Sequence, residues 1–306
     1  MGSPLSLFLA APFAVGPLPA PQAPAITGSR QAAPQAVLVE SPSGAVVAEA
    51  ALFAGLASAH AVYVGEKHDD ALHHQVQLAV LKGLHARRPG LVVGLEMVDG
   101  SGQASLDDWS AGRMSDTDFE AFWKKAWGYD FALYEPILRY AKGNGIPLKG
   151  LNAPISLISK IYKGGLASLS PAERARLPAR VEQTSDADYL AYITRTIDES
   201  HGHPPPDRLA KMLAAQAAWN ETMGDGVARL LAGGAEAVLV VAGAGHVYFG
   251  AGIAESAARR GAGEQAVVLP WPDGGGTAPL ADMLRELRDP ARAKLKLARY
   301  FWLLPS

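Results

Sequence analysis

Thirteen consecutive residues, Val62-Tyr63-Val64-Gly65-Glu66-Lys67-His68-Asp69-Asp70-Ala71-Leu72-His73-His74, hold one Glu, two Asp and three of the eight histidines in the chain. A second run, Gly243-Ala244-Gly245-His246, repeats the form Gly-x-x-His behind an apolar stretch, and Glu96 closes another such stretch. Imidazole beside carboxylate suits Zn, Fe, Mn and other borderline metals. The same pairing serves general acid/base catalysis. If Glu66, His68, Glu96 and His246 meet, they are candidate metal ligands, or the catalytic groups of a hydrolase. The plain alternative is a pair of hydrogen-bonded histidines at helix N-termini. The repeated form beside two strand-end acids weighs against it.

These groups need a frame. Ala61 to Val64 reads as a short buried strand closed by Gly65. Asp70 is placed to N-cap the following helix, whose first turn carries His73 and His74. Tandem residues point to different helix faces, so at most one of the two is expected at the site. Leu72, Val76, Ala79, Val80 and Leu84 mark that helix until Arg87-Arg88-Pro89-Gly90 stops it. Leu91 to Leu95 is a second buried strand and delivers Glu96. A strand, helix, strand unit of this length predicts parallel pairing through a right-handed crossover. Both acids then stand at the carboxyl edge of the sheet, where open α/β sheets bind ligands.

The flanking elements follow the same logic. Residues 36–40 and 45–49 predict a hairpin across Ser41-Pro42-Ser43-Gly44, and 50–59 a short helix. Ala237 to Ala242 is the clearest buried strand. It is followed by a helix over 250–260, a strand at 266–270, a flexible loop over Pro272 to Gly276 and an apolar edge strand at 300–304. From Gly100 to about Leu231 helical spacing dominates, broken by a strand near 146–151. This stretch is dense in aromatics, including Trp127, Tyr129 and Tyr134. Tyrosine or histidine can serve as an axial haem ligand. Gln216, Trp219 and Asn220 share one face of a long helix by their i, i+3, i+4 spacing. The expected architecture is α/β: a mainly parallel central sheet flanked by helices, with a large helical insertion (about 100–231) forming a cap. Residues 36–306 are expected to form one domain, and residues 1–35 a leader or linker.

At 306 residues, 49% hydrophobic and 19% charged, the chain has the make-up of a globular protein. Net charge is −2 and the Lys and Arg residues are dispersed, so nucleic acid is not an expected partner. With no cysteine, disulfides, thiolate metal sites, a Cys nucleophile and a lipid-anchor cysteine are all excluded from these residues. No apolar run approaches the ~20 residues of a membrane span. Leu5 to Val15 resembles the apolar core of an export signal without its usual basic start, which leads to the expectation of a periplasmic or secreted protein. There is no Gly-Lys-Ser/Thr phosphate loop or Gly-x-Ser-x-Gly elbow, and Gly243-Ala244-Gly245 lacks the third glycine of a dinucleotide turn.

Taken in order, seven motifs resemble the ChaN-like haem-binding proteins. They are Gly65-Glu66-Lys67-His68-Asp69 with His73-His74 and Gln77; Gly94-Leu95-Glu96-Met97; Trp127-Gly128-Tyr129-Asp130; Tyr134-Glu135-Pro136-Ile137; Asn152-Ala153-Pro154; Gln216 with Trp219 and Met223; and Gly243-Ala244-Gly245-His246 with Gly252-Ile253. The resemblance spans about residues 36–270. It implies an α/β core with a helical cap and a role in binding haem for bacterial iron acquisition at the cell envelope. Haem would lie between sheet edge and cap, near Tyr129, Tyr134, Trp127, His73, His74, Gln216 and Trp219, with a Tyr or His on the iron. A homodimer around haem is compatible with the resemblance. The sequence is also distantly similar to Tiki/TraB and erythromycin-esterase-like proteins, in which paired Gly-x-x-His motifs and a Glu are associated with hydrolysis, metal-dependent in the Tiki case. That implies a second expectation: a hydrolase using a divalent metal ion at Glu66, His68, Glu96 and His246. Two departures stand out: Asn220 occupies a position expected to be Asp, and the lipid-anchor cysteine of some members is missing.

Overall fold

The computed structural model describes residues 37–306. The hairpin forms as expected, with β1 (Val37–Glu40) antiparallel to β2 (Ala45–Val47). Next come α1 (Glu49–Ser58), β3 (Ala61–Glu66), α2 (Ala71–His85) and β4 (Leu91–Asp99). Asp70 caps α2, its Oδ1 accepting the N–H groups of Leu72 at 2.8 Å and His73 at 3.3 Å. The helical stretch contains α3 (Gln103–Ser110), α4 (Asp116–Ala126), α5 (Phe131–Gly143), β5 (Leu148–Asn152), α6 (Ile155–Gly164), α7 (Pro171–Arg174), α8 (Ala187–His201) and α9 (Pro206–Ala232). The chain ends with β6 (Ala237–Gly243), α10 (Ile253–Ala258), β7 (Gln265–Trp271), α11 (Leu280–Arg288) and β8 (Tyr300–Leu303).

The strands form one sheet in the order β2-β1-β8-β7-β3-β6-β4-β5. From β8 to β5 every pairing is parallel, and β1 runs antiparallel to both its neighbours. β3 and β6 are buried at every residue, which is why they read as unbroken apolar runs rather than alternating ones. Alternate side chains still go to opposite faces. Val62, Val64, Leu239 and Val241 join a core with α1 to α5, whereas Tyr63, Val238, Val240 and Ala242 join one with α6, α8, α9 and α10.

Four local expectations change. β3 and β4 do not pair, because β6 lies between them and bonds to both. Their parallel sense survives, so the two acids still share one edge. β8 is not an edge strand: it pairs with β7 and β1, because the opening hairpin extends the sheet beyond it. Gly65 does not close β3, since the ladder runs on through Gly65 opposite Ala242 and Glu66 opposite Gly243. A Cβ on Gly65 would stand 2.6 Å from Leu269 Cδ2 and 3.0 Å from Ala244 Cα, so this glycine permits close approach rather than a turn. The helix expected from Gly250 begins only at Ile253, after a turn with Phe249 at φ 65° and Gly252 at φ 59°. The apolar stretch Leu5 to Val15 lies outside the described residues. No described helix is long and apolar enough to cross a membrane.

Candidate functional site

The central place of β6 sets the geometry. Gly243 is paired with Glu66 of β3, and its N–H donates to Glu96 Oε2 of β4 at 2.6 Å. A Cβ at Gly243 would meet His68 Cε1 at 2.7 Å and His68 Nε2 at 3.1 Å, with Glu96 Oε2 at 3.6 Å. The His68 ring therefore lies against bare backbone, close to both acids. Glu66, His68, Glu96 and His246 do gather at one strand edge, but two by two. His68 Nδ1 is 2.7 Å from Glu66 Oε1, and His246 Nε2 is 3.4 Å from Glu96 Oε1. The four do not form the single ligand cluster expected, and among the described residues no three His, Asp or Glu are disposed to hold one metal ion.

Glu66 is fully enclosed. It accepts from His68 Nδ1 and from Tyr134 Oη at 2.7 Å, and its Oε2 is 2.9 Å from His74 Nδ1. Burial opposes its charge, but the hydrogen bonds and charges of His68 and His74 outweigh that and hold the carboxyl far below its usual range. His74 Nε2 faces the His68 carbonyl at 3.1 Å, and Nδ1 lies between Glu66 Oε2 and Gln77 Oε1 at 3.0 Å. The Gln77 amide nitrogen donates to the Val64 carbonyl, so its oxygen is the atom turned to His74. Acceptors thus face both His74 nitrogens, which must both carry hydrogen. Burial works against that cation, and the Glu66 bond and charge outweigh it, raising its pKa.

Its neighbour behaves oppositely. His73 Nδ1 accepts the Lys67 N–H at 3.0 Å, leaving Nε2–H to donate to the Pro272 carbonyl at 3.2 Å. That pattern needs a neutral ring, and burial pushes the His73 pKa down despite nearby Asp70.

His68 is the open member. Its Nδ1 is committed to Glu66, while Nε2 is buried with no hydrogen-bond partner. The side chain is 6% exposed, edge-on to Trp127 at 4.9 Å and 5.0 Å from the Tyr129 ring. Burial disfavours its cation, but the Glu66 bond and charge, then the Glu96 charge, raise its pKa. Above it lies a cavity of about 250 Å³ lined by Tyr129, Tyr192, Tyr248, Asp273 and the Lys67–Asp69 turn.

His246 is closed. Asn220 Nδ2 donates to Tyr189 Oη at 2.9 Å, and that hydroxyl donates to the Gly245 carbonyl at 2.9 Å. The amide is thereby oriented, so Asn220 Oδ1, 2.7 Å from His246 Nδ1, fixes a hydrogen there. Gln216 Nε2 lies 3.2 Å from the same nitrogen, and Trp219 stands edge-on at 6.0 Å. Asn220, the departure from the expected Asp, thus keeps a polar contact. Burial opposes the Glu96 charge, but His246, then His68 and the Gly243 amide, hold its pKa below the ordinary value.

The expected haem residues divide in the same way. Tyr134 is buried, accepting from Trp127 Nε1 at 3.0 Å and donating to Glu66. Burial and the Glu66 charge push its phenol well above 10, away from the phenolate that would bind iron. Tyr129 borders the cavity, with its phenol pushed up by burial and then by Asp69. Trp127, His74, Gln216 and Trp219 do not border it and instead pack around or hold the two His–Glu pairs, while His73 bridges the Lys67 amide and the Pro272 carbonyl. His201 and His203 end α8 around Gly202 in the left-handed conformation. Tyr192, Tyr248 and Asp273 are absent from the sequence reading. Asp273 follows β7 at the same carboxyl edge, in a loop whose composition predicts flexibility. In the structure Gly276 N–H donates to Asp70 Oδ2 and Tyr248 Oη donates to Asp273 Oδ2 at 3.1 Å. Tyr192 sits mid-helix and leaves no sequence signal.

Comparison with known proteins gives a family and a fold. A family model described as haem-binding uptake, Tiki superfamily, ChaN matches residues 52–256. No curated protein is similar enough in sequence to be matched. Among solved structures the fold is similar to ChaN of Campylobacter jejuni, reported with cofacial haem binding, at 18% identity and TM-score 0.65 over 89% of this chain and 97% of that one. It is also similar to an erythromycin esterase mutant in its open conformation, at 12% identity and TM-score 0.50 over 84% and 93%. At these identities the likeness is one of fold.

Proposed function

The chain belongs to the ChaN family of haem-binding uptake proteins in the Tiki superfamily, and on that footing we propose that it binds haem in the cavity above His68. The observation that carries this reading is the buried, unpartnered Nε2 of His68, with Nδ1 held by a carboxylate. Metal-ligating histidines have that arrangement, the second nitrogen fixed so that the first presents its lone pair. Tyr129 borders the same cavity, and its hydroxyl would become a second donor only on losing its proton, which burial and then Asp69 oppose. Bound haem would supply a Lewis-acidic iron, which His68 would hold. The chain supplies the donor, the Trp127 and Tyr129 rings beside it, and the exclusion of water from His68. The cavity is smaller than the ~300–1,000 Å³ that encloses a typical organic ligand. A porphyrin is therefore held by part of its surface, a geometry that leaves room for a second copy of the chain. The proposal extends to a single domain over 36–306 whose helical segment covers the site, to export from the cytoplasm, and to delivery of haem iron.

Titration with haemin tests it. A shifted Soret band in the wild-type protein, lost in His68→Ala and altered in Tyr129→Phe, is expected. An unshifted spectrum at micromolar protein rejects the reading.

A second reading is favoured by the same nitrogen. With Nδ1 on Glu66, His68 Nε2 can take a proton from water or a hydroxyl while Glu66 stabilises the imidazolium, as a general base requires. Ester hydrolysis retained after chelation and lost in His68→Asn supports that chemistry. Loss of activity and of a stoichiometric metal on chelation supports the metal-dependent form.

A further inference from the structure

A larger cavity, of about 490 Å³, adjoins the first and shares Tyr192 and Asp273 with it. Its apolar surface comes from Tyr192, Phe249 and Leu297, and its rim carries Arg195, Arg292, Lys294 and Lys296. Two of these cations are engaged: Lys296 Nζ is 2.9 Å from Asp188, and Arg292 lies 3.3 Å from Glu286 and 3.5 Å from Asp289. Asp273 accepts from Tyr248. That leaves Arg195 and Lys294. Among the described residues the carboxylate nearest Arg195 is Glu199, 4.0 Å away on an open surface with the two side chains 67% and 70% exposed, and the guanidinium lies 5.9 Å over the Tyr192 ring. Such a contact contributes little. Lys294 has no carboxylate partner among the described residues and lies 5.4 Å over the Trp271 ring. Two non-glycine residues bordering this cavity, Phe249 at φ 65° and Ala293 at φ 50°, are in the left-handed region. Backbone strain of this kind, retained twice around one hollow, marks a functional surface more often than a packing one.

An aromatic floor, two cations with no close carboxylate partner among the described residues, and lining shared with the His68 cavity ask for one ligand chemistry: a flat apolar body bearing acidic groups. We infer that this trough takes the carboxylate-bearing edge of a planar macrocycle whose remainder reaches the His68 cavity. The inference rests on the haem reading above. The faces of Tyr192 and Phe249 hold the ring, and Arg195 and Lys294 hold the carboxylates through charge-assisted hydrogen bonds.

The test compares wild-type protein with the double variant Arg195→Glu/Lys294→Glu, titrated with haemin, iron-free protoporphyrin and protoporphyrin dimethyl ester. Because both side chains lie on the rim, circular dichroism should be unchanged, and Arg195→Gln/Lys294→Gln is the substitute if it is not. The variant should bind haemin and the free-acid porphyrin about tenfold or more weaker, with the dimethyl ester unaffected. Haemin affinity within twofold of wild type in the variant overturns the trough assignment and leaves haem binding at His68 standing. An ester that binds wild type as tightly as the diacid also overturns it. Wild-type protein that binds no porphyrin at all removes the haem reading, and the trough assignment with it.

Discussion

The two Gly-x-x-His turns are alike in sequence and unlike in chemistry. At the first, acid and histidine lie two residues apart on one turn, and His68 keeps one nitrogen bound and one open. At the second they come from neighbouring strands, Glu96 from β4 and His246 from the turn after β6, and both nitrogens of His246 have polar neighbours. Glu66 collects His68, His74 and Tyr134, whereas Glu96 relies on His246 and one backbone amide at contact distance. A motif therefore fixes which groups arrive at the sheet edge. It does not fix which of them faces the cavity.

The strongest way to break this contrast is to delete each ring in turn. His246→Ala strands a buried carboxylate and should lower unfolding free energy by about 3–5 kcal/mol in urea melts, with little change in haemin affinity. His68→Ala should reduce that affinity by at least 10–100-fold and destabilise less, because His74 and Tyr134 still hold Glu66. If the two variants exchange these phenotypes, the open and closed assignments are wrong.

Gly243→Ala sharpens the contrast from the backbone side. The added methyl would meet the His68 ring at 2.7 Å, and that ring is wedged by Trp127 and Glu66. A loss of about 1–3 kcal/mol together with weaker haemin binding is expected, read by melts and titration on one preparation. A variant with native stability and affinity would show that His68 does not depend on bare backbone there.

Protonation supplies a finer test. The folded-state pKa of His74 is raised, so its contribution is full below the unfolded value of ~6.5 and is lost as pH rises through the folded value. That of His73 is lowered, so its contribution is full above ~6.5 and is lost as pH falls through the folded value. Melting temperature across this window should lose its alkaline-side decline in His74→Gln and its acid-side decline in His73→Gln. Identical profiles for the two variants would contradict the opposite charge states.

The smallest effect separates the two tyrosines. Tyr134→Phe removes one hydrogen bond to Glu66 and should cost about 1 kcal/mol without abolishing the haem spectrum. Tyr129→Phe should leave stability unchanged and alter the spectrum. The reverse pattern would move the ligand position into the core.

Much of this frame was legible from local pattern. The apolar runs ending at Glu66 and Glu96, the Asp70 cap and the shared face of Gln216, Trp219 and Asn220 all rest on spacing within a few residues. The distinction between Tyr129 and Tyr134 was not. Tyr134 lies one turn inside α5 and points to the core, whereas Tyr129 sits in the turn after Gly128 (φ 88°) and remains at the cavity. Nor could the charge of His74 be read, because it depends on which way the Gln77 amide points, and that is set by the Val64 carbonyl.

Periodicity and capping residues by themselves determined that two acids and two histidines reach the same carboxyl edge of the sheet, although β4 continues past Glu96 to Asp99, since those signals act over one or two turns of chain. Only the tertiary structure decided that β6 enters between β3 and β4, that Gly243 bonds an acid 147 residues away, and that Asn220 closes His246 while His68 stays open. The reason is physical: strand order and hydrogen-bond partnership are chosen by the packing of distant segments, and no local spacing records that choice.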